Sequence, residues 1–189
     1  MHYRLKIRHD DDPVNWRKEG DNLTHMVCWH RRYTLGDEQP KCDPQEWKAD
    51  FEAEHPDAYT MPLYLYDHGG ITISTGGFSD TWDSGQVGWI YTLPETVKAN
   101  WPSLTEPQAL LDKANEVMRA EVKDYDDYIT GNVWGFELVK VIVCDHGDEH
   151  EEHEEACWGF SGDDAKDAMR DHLSEEHYPL LDAAWAART

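Results

Sequence analysis

Five residues in one short segment carry the side chains that acid–base or hydrolytic chemistry needs: Asp67, His68, Asp83, Ser84 and Gln86, with Asp80 beside them. A carboxylate bonded to an imidazole orients it as a general base, and a hydroxyl or a held water is what such a base activates. Asp67 and His68 precede the run Ile71 to Thr75, whereas Asp80 to Gln86 follow it. Five strand residues span roughly 17 Å, several times hydrogen-bond reach. Two arrangements are therefore open. Either the loop from Gly76 to Gln86 folds back along the sheet, or these are two separate polar sites. In the second case Asp67-His68 is a turn and Trp82-Asp-Ser-Gly85 an ordered loop, each held by side-chain-to-backbone bonds.

Metal chemistry has its own candidates. Cys28-Trp-His30 and Cys144-Asp-His146 are both Cys-x-His pairs. Residues i and i+2 of a strand share a face, so two adjacent strands would bring Cys28, His30, Cys144 and His146 into a tetrahedral zinc set. That spacing is far from the finger pattern. The run Asp145 to Glu155 holds His146, His150 and His153 among seven carboxylates. It would take up divalent ions opportunistically, without the fixed geometry of a specific site. Asp10-Asp-Asp12 and Asn15 lack the glycine spacing of a calcium loop. A divalent metal is thus the single cofactor the residues allow, and none is required. Neither a G-x-G-x-x-G nor a G-x-x-x-x-G-K-[ST] run occurs, so no nucleotide motif is present.

The 189 residues carry a formal net charge of −22, and it is unevenly spread. Residues 1–50 hold nine Lys/Arg against ten Asp/Glu, while residues 51–189 hold eight against twenty-nine. Such a field disfavours direct nucleic-acid binding and anionic membranes, and attracts basic protein surfaces. Asp124, Asp126 and Asp127, the tip Asp148 to Glu155, and Asp163, Asp164, Asp167 and Asp171 are the candidate contacts to such a partner. The alternatives are a surface charged for solubility alone, or for high salt. Four cysteines without a C-x-x-C pair argue against a disulfide framework. No apolar run approaches the roughly 20 residues of a membrane span, and the N-terminus lacks a signal peptide's apolar region. A cytoplasmic protein is expected.

These side chains have to be positioned by a fold, and the pattern predicts α+β: one domain over 1–189, a largely antiparallel sheet with packed helices, and an acidic loop at 145–155. His2 to Arg8, Met26 to Tyr33, Pro62 to Tyr66, Ile71 to Thr75, Val87 to Tyr91, Asn132 to Cys144 and Ala156 to Phe160 read as strands. A short helix is expected over Pro44 to Glu54, with Trp47 and Phe51 on one face. A long one starts at Thr105, where the hydroxyl would cap the first turn and Gln108 close a capping box. Its apolar stripe runs Leu110, Leu111, Ala114, Val117, Met118, Val122 and Tyr125. Two more helical segments follow Ser161 and Pro179. Trp134-Gly-Phe136 and Trp158-Gly-Phe160 repeat one tripeptide. A hairpin centred on Gly147 would set Trp134 against Phe160 and Phe136 against Trp158, with its glycines meeting on the other face, whereas one centred on the acidic tip near His150 would destroy that register.

Three motifs together resemble a set of small bacteriophage-encoded proteins: Asn22-Leu-Thr-His-Met-Val-Cys-Trp-His-Arg-Arg-Tyr-Thr-Leu-Gly-Asp37, the run Tyr64 to Tyr91 with its Tyr-Asp-His and Trp-Asp-Ser-Gly-Gln-Val-Gly, and Cys157-Trp-Gly-Phe160. The resemblance covers about three-quarters of the chain. It implies a phage origin and a place in the host cytoplasm, and it assigns no activity. With the acidic surface it leads to one principal expectation: a non-catalytic protein that binds and modulates a host protein. That partner would be a nucleic-acid enzyme whose basic groove the carboxylates occupy as DNA does, an anti-defence role. A metal-dependent or hydrolytic enzyme using Asp67-His68 and Asp83 to Gln86 is the alternative. A phage protein whose charge serves solubility only is the third reading.

Overall fold

The computed structural model describes residues 1–188. In chain order the elements are β1 (His2–His9), α1 (Trp16–Glu19), β2 (His25–Cys28), α2 (Pro44–Glu54), β3 (Tyr59–Asp67), β4 (Ile71–Ser74), β5 (Ser84–Thr92), α3 (Pro94–Asn100), α4 (Pro107–Thr130), β6 (Val133–Val143), β7 (Glu149–Ser161), α5 (Ala165–Arg170) and α6 (Tyr178–Ala186). The fold is α+β with antiparallel strand pairing, as the pattern predicts. The strands form two sheets, ordered β1-β6-β7 and β2-β5-β3-β4. Contacts divide the chain into two compact units, Met1–Val14 with the chain from Gly131 onward, and Asn15–Thr130. Each has its own core.

The unit Asn15–Thr130 packs α4 against its four-stranded sheet. Met26, Leu63, Leu65, Ile73 and Ile90 meet Ala114, Met118, Val122 and Tyr125. The predicted helical stripe is the face that is buried. The helix opens at Pro107, so Thr105 is not its cap, and the Gln108 amide donates to Asp112 at 2.9 Å. The expected extended run Met26 to Tyr33 stops at Cys28. The three-residue turn His68-Gly69-Gly70 places Gly69 at φ +73°, the left-handed region glycine tolerates. Asp43 caps α2 by accepting from the amides of Gln45 and Glu46. Trp47 and Phe51 stack at 5.0 Å, as their spacing predicts, and Trp47 packs on Trp29 and Trp89.

In the other unit Leu5, Phe136, Leu138 and Phe160 form a core with Ala165, Met169 and Leu181. The acidic run 145–155 corrects the expectation of a loop. A tight turn covers residues 144–148, and Glu149 onward is strand, continuous with β7 to Ser161. High charge excludes a strand from a buried sheet, but β7 is an edge strand whose first eight residues are all exposed. Arg4 and Lys6 of β1 reach across β6 to Glu149 and Glu151. The hairpin pairs Trp134 with Phe160, as a centre at Gly147 requires, but a register shift then sets Phe136 against Cys157. The glycines do not meet: Gly135 lies beneath the Trp158 ring, and Gly159 sits at φ +89°.

Candidate functional site

The loop between β4 and β5 folds back along the sheet. Because β3 is central, β5 has to begin beside the end of β3, where Tyr66 pairs with Ser84. Phe78 packs 5.7 Å from the Tyr66 ring on the way back, and Asp80 accepts from the Trp82 amide at 2.8 Å. The Asp67 amide donates to the Asp83 carbonyl at 2.8 Å, and His68 Nδ1 lies 2.8 Å from Asp83 Oδ2. Of the two arrangements left open by the sequence, the joined one is found.

Asp67, Trp82, Asp83 and Ser84 line a groove of about 990 Å³ within the unit Asn15–Thr130, and His68 sits outside that lining, bonded to Asp83. Four separated segments supply it: Cys28 to Arg32; Gln39, Pro40 and Pro44; the end of β3 with Leu65 and Asp67; and Trp82 to Val87. The volume lies at the upper end of the range of small-molecule sites. Beyond β2 the Trp29 indole donates to the Cys42 carbonyl at 3.0 Å, which fixes one wall against α2. His30 Nδ1 accepts from the amides of Arg32 and Tyr33 at 3.3 and 3.2 Å, and its ring stacks on Tyr33. That turn sends Arg31 and Arg32 outward.

The polar groups are not equivalent. Asp67 is paired with Arg32 and accepts from the Tyr33 hydroxyl at 3.4 Å. The Ser84 hydroxyl donates to the Asp80 carbonyl, so no base is placed to activate it as a nucleophile. The Gln86 amide donates to the Gly88 carbonyl at 3.2 Å. His68 with Asp83 is therefore the pair with the geometry of an oriented base. With the proton on Nδ1, the bond to Asp83 leaves Nε2 as an acceptor on an exposed ring.

The zinc candidates divide between units: Cys28 and His30 belong to one, Cys144 and His146 to the other. Among the described residues no group of three or more His, Cys, Asp or Glu is arranged to hold a metal ion. Cys28 is fully buried, and burial pushes its thiol up to about 12. At mildly alkaline pH it is almost wholly protonated and inert. Alkylation of the native protein is expected to label the exposed Cys42 and to spare Cys28 until denaturant is added, read by peptide mass spectrometry. Rapid native labelling of Cys28 would contradict the packing.

The acidic candidates differ in availability. Asp126 accepts from the Thr72 hydroxyl and the Ile73 amide at 2.6 and 2.7 Å, tying α4 to β4. Asp127 is buried and pairs with Lys123. Asp124 is exposed, yet partial desolvation, then the charge of Asp127, raises its carboxyl pKa. A carboxyl raised in the folded state binds its proton more tightly there, so its charging opposes folding, and its contribution improves as pH falls through the folded value. Asp124→Asn is expected to raise the melting temperature slightly at neutral pH, with the gain vanishing in acid. Asp163, Asp164, Asp167 and Asp171 are all exposed around α5, and Asp167 pairs with Arg170.

Among the groove residues to which the sequence assigns no ligand role are Arg31 and Trp82, the latter expected only as part of an ordered loop. Trp82 is 96% exposed. The signal for it was an indole amid turn-forming residues, with no periodic partner to bury it. Among the described residues no helix is long and apolar enough to cross a membrane. Compared with known proteins, the chain matches no family model, no curated protein and no solved structure.

Proposed function

We propose that the groove binds a small organic ligand and that His68, oriented by Asp83, acts beside it as a general base on a water, which makes the chain a hydrolytic enzyme. What carries this reading is the convergence of four segments on one groove with a hydrogen-bonded His–Asp pair beside it. A water is the nucleophile, since Ser84 is committed to Asp80.

The test needs a variant that fills the groove and leaves the fold intact. Gly85 lines the groove, and a Cβ added there meets nothing within 4 Å. Ligand-detected NMR with a library of neutral, cationic and anionic fragments should give hits that Gly85→Trp abolishes. Turnover of nitrophenyl esters and phosphoesters should fall about 10²- to 10⁴-fold in His68→Ala. Hits that survive Gly85→Trp would remove the groove from consideration. Turnover indifferent to His68 would remove the base.

A second reading, binding of a host nucleic-acid enzyme through acidic surface, is favoured by one observation. β7 is an edge strand, and its residues 149–156 are all exposed, five of them glutamate. Glu154 and Glu155 lie exposed along it. Its weakness is that Glu149 and Glu151 are already neutralised by Arg4 and Lys6. Capture of a nucleic-acid enzyme from host lysate at low salt and its loss at high salt would support mimicry. Unchanged capture by a Glu152→Gln/Glu154→Gln/Glu155→Gln variant would argue against it.

A further inference from the structure

We infer that the groove's ligand is an anion bearing a flat ring, of the nucleoside monophosphate class; the inference rests on the groove being a ligand site.

The lining guanidinium that has no ion-pair partner among the described residues points to an anion. Asp67 and Asp83 both face it, but each is already engaged, Asp67 by Arg32 and Tyr33 and Asp83 by His68. Arg31 is exposed, lines the groove and makes no ion pair among the described residues. Arg32 beside it commits one nitrogen, Nη2, to Asp67 and keeps further N–H donors available. The Arg31 and remaining Arg32 donors match phosphate and carboxylate oxygens in forked pairs. In a chain of net charge −22 the groove lining is locally balanced, Arg31 and Arg32 against Asp67 and Asp83.

The ring follows from Trp82. An indole 96% exposed, its backbone amide tied to Asp80, stands on the groove with both faces hydrated and no aromatic neighbour among the described residues. A flat ring stacked on it removes apolar surface from water on both partners. Trp29 lines the same groove, with its indole N–H already spent on Cys42.

Size sets the upper limit. Charges in solution are screened beyond about 8 Å at physiological ionic strength. A small anion at Arg31 therefore responds to the guanidiniums within a few ångströms. A nucleic-acid strand would run out over the acidic surface and be repelled. The chain has no phosphate-binding loop, so recognition would come from side chains alone.

The full chain carrying 5-fluorotryptophan would be followed by fluorine NMR, with the Trp82 signal assigned through Trp82→Phe. Adenosine monophosphate, adenosine and inorganic phosphate are added separately, and then the neutral and cationic fragments. The inference requires that adenosine monophosphate shift the Trp82 signal and bind at least ten-fold more tightly than adenosine. Arg31→Ala should erase that difference while leaving adenosine binding unchanged. Phosphate alone should bind more weakly than the nucleotide by ten-fold or more. Equal binding of nucleotide and nucleoside, or indifference to Arg31→Ala, overturns the anion. Fragments that shift Trp82 while the nucleotide does not would overturn the ligand class and leave the groove reading standing. No shift with any compound would overturn both.

Discussion

Arg17→Ala is expected to lower the unfolding free energy by about 3–5 kcal/mol, the range for breaking a buried ion pair from one side. The Arg17 side chain is 3% exposed and joins three segments. Its Nε and Nη2 grip the Asp37 carboxylate in a forked pair, and Nη1 reaches Glu121 of α4. Nη2 also donates to the Thr24 carbonyl at 2.9 Å. The carboxylates hold backbone in turn, since Asp37 accepts from the Met26 amide at 2.7 Å and Glu121 from the Leu23 amide at 2.8 Å. Alanine would leave two carboxylates, 13% and 16% exposed, without their counter-charge. Lysine keeps the charge but not the fork, and should recover part of the loss. The measurement is urea denaturation, read as a change in midpoint at constant slope. Removing the charges together, as Arg17→Met/Asp37→Asn/Glu121→Gln, should give a protein more stable than Arg17→Ala. If the single variant were within 1 kcal/mol of the parent, the network would not be what holds this segment.

That network changes how the longest motif is understood. Asn22 to Asp37 reads as one block in the sequence, but its ends and its middle do different work. The Asn22 amide donates to the carbonyls of Trp16, Arg17 and Gly20. Gly36 sits at φ +67° with its amide on the Tyr125 hydroxyl, and Asp37 holds Arg17. Asn22 ties the segment to α1, while Gly36 reaches α4 at Tyr125 and Asp37 reaches it through Arg17 and Glu121. The middle, Trp29 to Arg32, is what they present to the groove.

The helices with room for periodicity were legible. α4 declared itself through a stripe over several turns, and α2 through Pro44 and the Trp47–Phe51 pair. α1 and α3 span four and seven residues, too short for a pattern to rise above chance. The strand at Glu149 was hidden because its charge is balanced by Arg4 and Lys6, and Lys6 lies 145 residues away from Glu151. Residue chemistry at the groove was legible as well. What joined Asp83 to His68 was strand order, because a central β3 forces β5 to start beside its end. Strand order is a property of the whole sheet and is not written in any one segment. Arg31 and Trp82 became informative only through what they lack, an ion pair and a stacking partner.

Gly88→Ala is the second large effect, and it separates a position where space is closed by backbone from one where it is closed by a ring. Gly88 is paired with Cys28 on β2 and with Leu63 on β3. A Cβ added there would lie 1.9 Å from the Val27 carbonyl oxygen and 2.9 Å from the Cys28 Cα. Neither atom can rotate away, so β2 has to separate from β5 along its whole length of four residues. The expected loss is about 3 kcal/mol or more, at or beyond the upper end for overpacking. Cys28 and Val87 both line the groove, so ligand binding should fail with it. Gly135→Ala looks as severe on distance alone, since its Cβ would meet the Trp158 ring at 2.1 Å. That ring is 42% exposed and can swing outward. The loss there should be about 1–2 kcal/mol, with the hairpin kept. Gly85→Ala, with open space around it, should stay within about 0.5 kcal/mol of the parent. Thermal or urea unfolding of the three variants should rank them Gly88, Gly135, Gly85. A Gly88→Ala protein as stable as Gly85→Ala would mean that β2 and β5 do not approach this closely in solution.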